Sequence, residues 1–236
     1  MLHSLPSLSG LHLYAVCLNI DREEFERLWL FLSDDERVRA SRYSRDKLRT
    51  NFVAARGNLR IILADWLGCL PQEVRLCYGD RGKPEIVRHD LSADQLSSHQ
   101  HFNLAHSQDW AIYVVSGDRP VGIDLEFVRE CDVLGLARRF FAESEQVFLI
   151  KAWELGDRDW CYRSFFRAWT LKEAYAKATG LGIQNLLEKV DVSALLTQPL
   201  DATITLGSEP WQLQSLVEGL PAEMLEGYMA AVCHRI

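Results

Sequence analysis

The chain has 236 residues, 48% hydrophobic and 25% charged, a balance that suits a globular protein burying a substantial core as one large domain or two small ones. A formal net charge of −7 argues against a general nucleic-acid binder, and no apolar run reaches the roughly 18 residues of a membrane-spanning helix. The opening MLHSLPSLSG lacks the basic region and long apolar stretch of a secretory signal, and the six cysteines are scattered with no CxxC pair. Reduced, mostly buried thiols in a cytoplasmic protein are therefore expected.

In chain order, LHLYAVCLNI (11–20) predicts a strand. SDDE (33–36) is a capping box, with Ser33 as N-cap and Glu36 three residues on, opening a short helix. A second helix is expected from Asp46 to Leu67, with Leu48, Phe52, Leu59, Leu63 and Trp66 as its apolar stripe and Gly68 as its stop. Arg49, Arg56 and Arg60 fall on one side of it and read as a solvated, exposed stripe. GDRGKPEIV (79–87) predicts a turn entering a short strand, and 88–101 a polar loop. From 101 to 126, WAIYVVS, a GDRP turn and VGIDLE read as a hairpin.

In the second half, residues 134–150 and 160–180 are expected to be helical, the latter ending at Gly180. KVDVSALL, ATITL, WQLQSLVEG and GYMAAVCHRI then read as strands and their connections. Each half is strand–helix–strands, without a repeat in residue identity, so the predicted class is α+β with two subdomains meeting near residue 119.

The segment VGIDLE carries the chemical signal. Strand alternation sets Val121, Ile123 and Leu125 on one face and Gly122, Asp124 and Glu126 on the other. Two carboxylates on one strand face repel and are costly to desolvate, so a cation or water must sit with them. On the later helix, Trp169, Glu173 and Lys177 fall at i, i+4 and i+8, on one side. Alone, Glu173–Lys177 is an ordinary surface pair and the strand acids a polar sheet face. Together, a third carboxylate facing the first two makes an all-oxygen site, suited to a hard divalent cation held with water and ligand phosphate. No His or Cys is placed to favour zinc.

VGIDLE followed by WTLKEAYAK (169–177) resembles the 4′-phosphopantetheinyl transferases, whose signature is G-[IV]-D-[ILV]-E and then W-[ST]-x-K-E-x-x-x-K. RGKPEI, FNLAHS and the Arg-rich RVRASRYSRDKLRT resemble further family segments in the expected order, across essentially the whole chain. Length and style resemble the surfactin-type, single-chain branch rather than the short trimeric carrier-protein synthases. The resemblance implies a pseudodimer of two similar α/β subdomains, each a small sheet against a long helix, with the active site in the cleft between them. Residues 1–119 would take the coenzyme A adenosine and 3′-phosphate, and residues 120–236 the metal and the chemistry.

It further implies transfer of the 4′-phosphopantetheine arm of coenzyme A to a serine of an apo acyl or peptidyl carrier protein, with release of 3′,5′-ADP. Mg²⁺, with Mn²⁺ as a substitute, would be held by Asp124, Glu126 and Glu173. Glu173 also matches the base for the carrier serine, and Lys177 the lysine near the pyrophosphate and leaving group. Lys83 and Pro84 match the segment beside the adenosine, and His106 a histidine at a coenzyme A phosphate. Arg42, Arg49 and Thr50 match the 3′-phosphate contacts. At Ala105 the chain departs from the family serine, which removes a hydroxyl contact to coenzyme A. The expected partners are the carrier and coenzyme A, without nucleic acid or membrane, and the protein is expected to be monomeric. The competing readings are another Mg²⁺-dependent phosphotransferase, or a carrier-protein or coenzyme A binding module without catalysis. The first would not need RGKPEI and FNLAHS, and the second would be expected to lack an acid or the lysine.

Overall fold

A computed structural model describes residues 2–8, 10–78, 83–87, 101–182, 189–198, 203–206 (backbone alone), 210–216 and 219–236. In chain order these form β1 (Leu2–Ser4), β2 (His12–Cys17), α1 (Arg22–Phe31), α2 (Asp34–Ser41), α3 (Asp46–Leu67), a 3-10 turn (Pro71–Glu73), β3 (Leu76–Tyr78) and β4 (Pro84–Ile86). Then come β5 (His101–Ser107), β6 (Trp110–Ser116), β7 (Val121–Phe127), α4 (Val133–Phe140), α5 (Glu143–Glu154) and α6 (Arg158–Thr179). The chain closes with α7 (Ser193–Leu196), β8 (Thr203–Leu206), β9 (Trp211–Leu216), α8 (Ala222–Leu225) and β10 (Tyr228–Arg235).

The strands make two four-stranded sheets, ordered β1-β2-β6-β5 and β7-β10-β9-β8, plus the small β3–β4 pair. Each large sheet carries one 22-residue helix, α3 or α6, ended by a left-handed glycine, Gly68 (φ +65°) or Gly180 (φ +70°). Glycine is favoured there because a Cβ strains that backbone. Val53, Leu59, Ile62 and Leu63 of α3 pack with Phe102, Tyr113 and Val115 of the first sheet. Ala168, Leu171, Ala174 and Ala178 of α6 pack with Leu213, Ala231 and Cys233 of the second. A third cluster joins Leu13, Ala15, Ile112 and Val114 to Val121, Ile123, Leu125 and Val232, so the sheets meet face to face and the long helices lie outside.

Several expectations hold. The strand at 12–17, the strand at 84–86, and both long helices with their glycine stops are present. The Ser33 capping box forms, Glu36 N–H donating to Ser33 Oγ at 3.4 Å and Ser33 N–H to Glu36 Oε2 at 3.1 Å. The turn residues 79–82 and the loop 88–100 lie outside the described residues.

Others are corrected. The arginine stripe of α3 is not an exposed face: Arg60 is buried, with Nε 2.7 Å from Glu36 Oε2 and Nη1 donating to Val74 O at 2.8 Å, and Arg56 is buried as well. Leu48 of the predicted apolar stripe is exposed, because it precedes the part of the helix that meets the sheet. The hairpin is β5–β6, closed at Gln108–Asp109 with Gln108 at φ +50°, whereas β7 crosses to the other sheet and pairs with β10.

The single helix predicted over 134–150 is two. Phe141 is extended and buried, and Ala142 opens α5 by donating its N–H to Glu145 Oε2 at 2.9 Å. Glu145, wholly buried, also meets Lys172 Nζ at 2.6 Å and accepts Val192 N–H at 2.8 Å. Placing that charge at the centre of the packing requires the break. The predicted strand KVDVSALL is the short helix α7, its backbone drawn toward Glu145 and away from a ladder. All six cysteines are free, but only Cys161 and Cys233 are buried, and Cys77 is exposed.

Candidate active site

Gly122 sets the site. A Cβ there would collide with Ala174 O and Ala178 N of α6, so the absence of a side chain lets helix and strand backbones touch. That close approach carries the same strand face, Asp124 and Glu126, alongside Glu173 and Lys177. Lys177 Nζ donates to Asp124 Oδ1 at 2.7 Å and to Ile123 O at 3.3 Å. Asp124 is only 4% exposed, and its Oδ2 has no hydrogen-bond partner among the described residues. Trp169, one turn before Glu173, packs with Phe140, Phe141 and Phe165 behind the site.

The three acids perturb one another. Burial raises the Asp124 carboxyl above the usual range, and Lys177 pulls it back. Burial, then the Asp124 charge, raises Glu126, opposed by Arg129, Lys177 and the Ser107 hydroxyl. Glu173 is pushed up to about 7, by burial first and by Asp124 next, with Lys177 opposing and Glu126 adding. Mutual repulsion of this kind marks a place where negative charge exceeds its compensation. Among the described residues, no three His, Cys, Asp or Glu side chains already converge on an ion-sized point. The donor set still fits a hard cation: three carboxylates on facing elements, one with a buried oxygen that has no hydrogen-bond partner among the described residues.

The basic side of the site is equally defined. Lys83, just before β4, donates its Nζ to Lys177 O at 2.8 Å, and burial lowers its pKa. Pro84 follows it, half-buried, opposite Tyr78 in the β3–β4 pair. His106 reaches solvent on the outer face of β5. Partial desolvation lowers its pKa, followed by the positive charges of Lys177, Arg56 and Arg39. Arg56 lies between two aromatic rings, 5.9 Å from the Phe52 centroid and 5.5 Å from that of Tyr78, and its buried Nη1 has no hydrogen-bond partner among the described residues. Arg39 covers the same Phe52 ring at 5.3 Å.

The structure therefore brings together Asp124, Glu126, Glu173, Lys177, Lys83 and His106. Arg42 is exposed at the end of α2, and Arg49, half-buried, pairs with Asp46 at 2.8 Å. Thr50 is half-buried in the first turns of α3, and no described interaction ties these three to His106. Sequence reasoning gave Arg39 no role and read Arg56 only as part of an exposed stripe. Their signal was available as Phe52 at i, Arg56 at i+4, an aromatic platform under a guanidinium.

One buried and two half-buried carboxylates thus lie with a lysine, beside a buried arginine and a histidine, so acidic and basic groups adjoin in one place. A family model described as the 4′-phosphopantetheinyl transferase superfamily matches residues 120–233. The chain is 39% identical to the 4′-phosphopantetheinyl transferase HetI of Nostoc sp. over 87% of its own length and 82% of that protein. It is 34% identical to the psf-1 transferase of Bacillus pumilus over 78% and 72%, and 25% identical to Sfp of Bacillus subtilis over 91% and 87%. The chain belongs to the 4′-phosphopantetheinyl transferase superfamily and is an enzyme of that class. Among its described residues, no helix is long and apolar enough to cross a membrane.

Proposed function

We propose that the chain transfers the 4′-phosphopantetheine arm of coenzyme A to a serine hydroxyl of an apo acyl or peptidyl carrier protein, releasing 3′,5′-ADP, in a Mg²⁺-dependent reaction that Mn²⁺ can also support. The observation that carries this reading is the meeting of Glu173 and Lys177 with Asp124 at the Gly122 contact, beside His106 and Arg56. Residues 1–119 and 120–236 are taken as two subdomains of a monomeric pseudodimer with the substrates in the cleft between them. A cytoplasmic enzyme is part of the proposal, in keeping with its free thiols.

Asp124, Glu126 and Glu173 would hold the cation, which when bound supplies charge neutralisation to the phosphoanhydride. Lys83 and Pro84 are assigned to the adenosine. Arg56 and Arg39 are assigned to a coenzyme A phosphate with His106, in place of Arg42 and Arg49, and Thr50 stays in the set. In the transfer, the serine oxygen bonds to the phosphorus that bears the pantetheine arm. The bond from that phosphorus to the bridging oxygen breaks, and its electron pair leaves with 3′,5′-ADP. Glu173 takes the serine proton directly or through a water. Lys177 offsets the charge gathering on the departing phosphate.

The test is mass spectrometry of apo-carriers from fatty-acid, polyketide and nonribosomal peptide systems, incubated with the protein, coenzyme A and Mg²⁺. The expected result is a mass gain of one phosphopantetheine arm on at least one carrier. No gain on any of them, with Mg²⁺ or Mn²⁺, refutes the proposal.

A further inference from the structure

β5 and β7 are edge strands of different sheets, and among the described residues no ladder pairs them. A row of side chains joins them instead. Asn103 Oδ1 accepts the Ile123 N–H at 2.9 Å, and Ser107 Oγ accepts the Phe127 N–H at 3.0 Å. Both contacts link residues 20 apart, so the two strands run side by side in the same direction at a fixed register. Between these rungs, strand alternation sets Ala105 against the Leu125 N–H, which turns instead toward the carboxylate of its own neighbour Asp124. Ala105 and Leu125 are both buried in the core between the sheets, and the alanine methyl offers no acceptor. Ser107 makes a second contact, donating to Glu126 Oε2 at 3.4 Å.

We infer that positions 103, 105 and 107 form a staple that fixes the register of β7, with Asn103 and Ser107 as positioning residues and Ala105 as an empty rung. Position 105 thus belongs to the joint between the sheets and not to the coenzyme A contact that the family resemblance suggests. Its neighbour His106 points to the opposite face, where the basic groups gather. Register matters here because a one-residue slip of β7 would turn Asp124 and Glu126 into the apolar core. The bearing on Glu126 rests on its proposed role as a cation ligand.

The experiment measures amide hydrogen exchange by NMR on the metal-free full chain, with coenzyme A affinity by calorimetry and Mn²⁺ affinity by electron paramagnetic resonance. Ala105→Ser should slow exchange at Leu125 about three- to tenfold, the effect of one added hydrogen bond, with coenzyme A affinity unchanged. Unchanged Leu125 exchange, or tighter coenzyme A binding, would overturn the assignment of position 105. Ser107→Ala should speed exchange at Phe127 by a similar factor and weaken Mn²⁺ binding, and Ser107→Thr should restore both. Phe127 exchange that ignores Ser107→Ala would overturn the staple. Faster exchange with Mn²⁺ affinity intact would uphold the staple and overturn the reading of Glu126 as a ligand.

Discussion

Lys177 Nζ lies 2.7 Å from Asp124 Oδ1, so the helix lysine is docked on the most buried acid of the candidate site. The contact neutralises one carboxylate oxygen and leaves Oδ2 without a partner among the described residues. The same strand acid can thus satisfy a resident lysine and still present an oxygen to a cation.

Removing that lysine isolates a buried charge. Lys177→Met is expected to destabilise the metal-free protein by about 1–3 kcal/mol at pH 7, below the usual cost of breaking a fully buried pair because the lysine is partly exposed. Burial already holds the Asp124 carboxyl above its ordinary range, and losing Lys177 raises it further. For an acid raised in the folded state, the penalty is complete above the folded pKa and disappears as pH falls below the unfolded one. Urea melts of variant and parent should therefore converge as pH falls toward 4. An equal gap at both pH values would assign the effect to the lysine stem's packing.

Glu173→Gln separates stability from chemistry. The unfolded carboxyl ionises near its ordinary value of about 4.3, the folded one only at about 7. Between those values the parent loses stability as pH rises, and the loss is complete above the folded value. Glutamine does not ionise, so the metal-free variant should be more stable by about 1–2 kcal/mol at pH 8, discounted for partial exposure, and equal to the parent near pH 4. The same variant should lose about 10²–10⁴ in kcat, with no recovery at high Mg²⁺. Full recovery at high Mg²⁺ would leave Glu173 as a ligand only.

Arg56 and Arg49 should behave differently although both lie on α3. Arg56→Met removes a buried guanidinium, its Nη1 without a hydrogen-bond partner among the described residues, from the charges around His106, and coenzyme A binding should weaken about ten- to a hundredfold by calorimetry. Arg49→Ala, which breaks only the pair with Asp46, should change affinity less than about twofold. The reverse ranking would return the phosphate to the first turns of α3.

At Gly122 any side chain must displace the α6 backbone. Gly122→Ala is expected to cost about 2–4 kcal/mol in chemical denaturation. It should also lower turnover by separating Asp124 from Lys177. Wild-type stability in this variant would mean that helix and strand do not approach so closely in solution.

The sequence by itself determined what local rules control. Gly68 and Gly180 end the long helices because each stop needs a left-handed residue, and the Ser33–Glu36 box opens α2 because both partners lie within one turn. The alternation in VGIDLE placed Asp124 and Glu126 on one face, and helical spacing placed Glu173 and Lys177 on one side, without any knowledge of the fold. Tertiary structure decided everything that depends on distant partners. Arg60 is a buried ion-pair residue only because Glu36 and the Val74 carbonyl come to it, and the helix break at Phe141 exists because Glu145 must reach Lys172 and Val192. β7 left the expected hairpin because its apolar face fills the core between the sheets, where β10 offers it a ladder and Asn103 and Ser107 cap its other edge. Arg56 lies among the charges that act on His106 because α3 packs against the sheet that carries β5. Which side of a helix meets which strand is set by packing between elements far apart in the chain, and no local period encodes it.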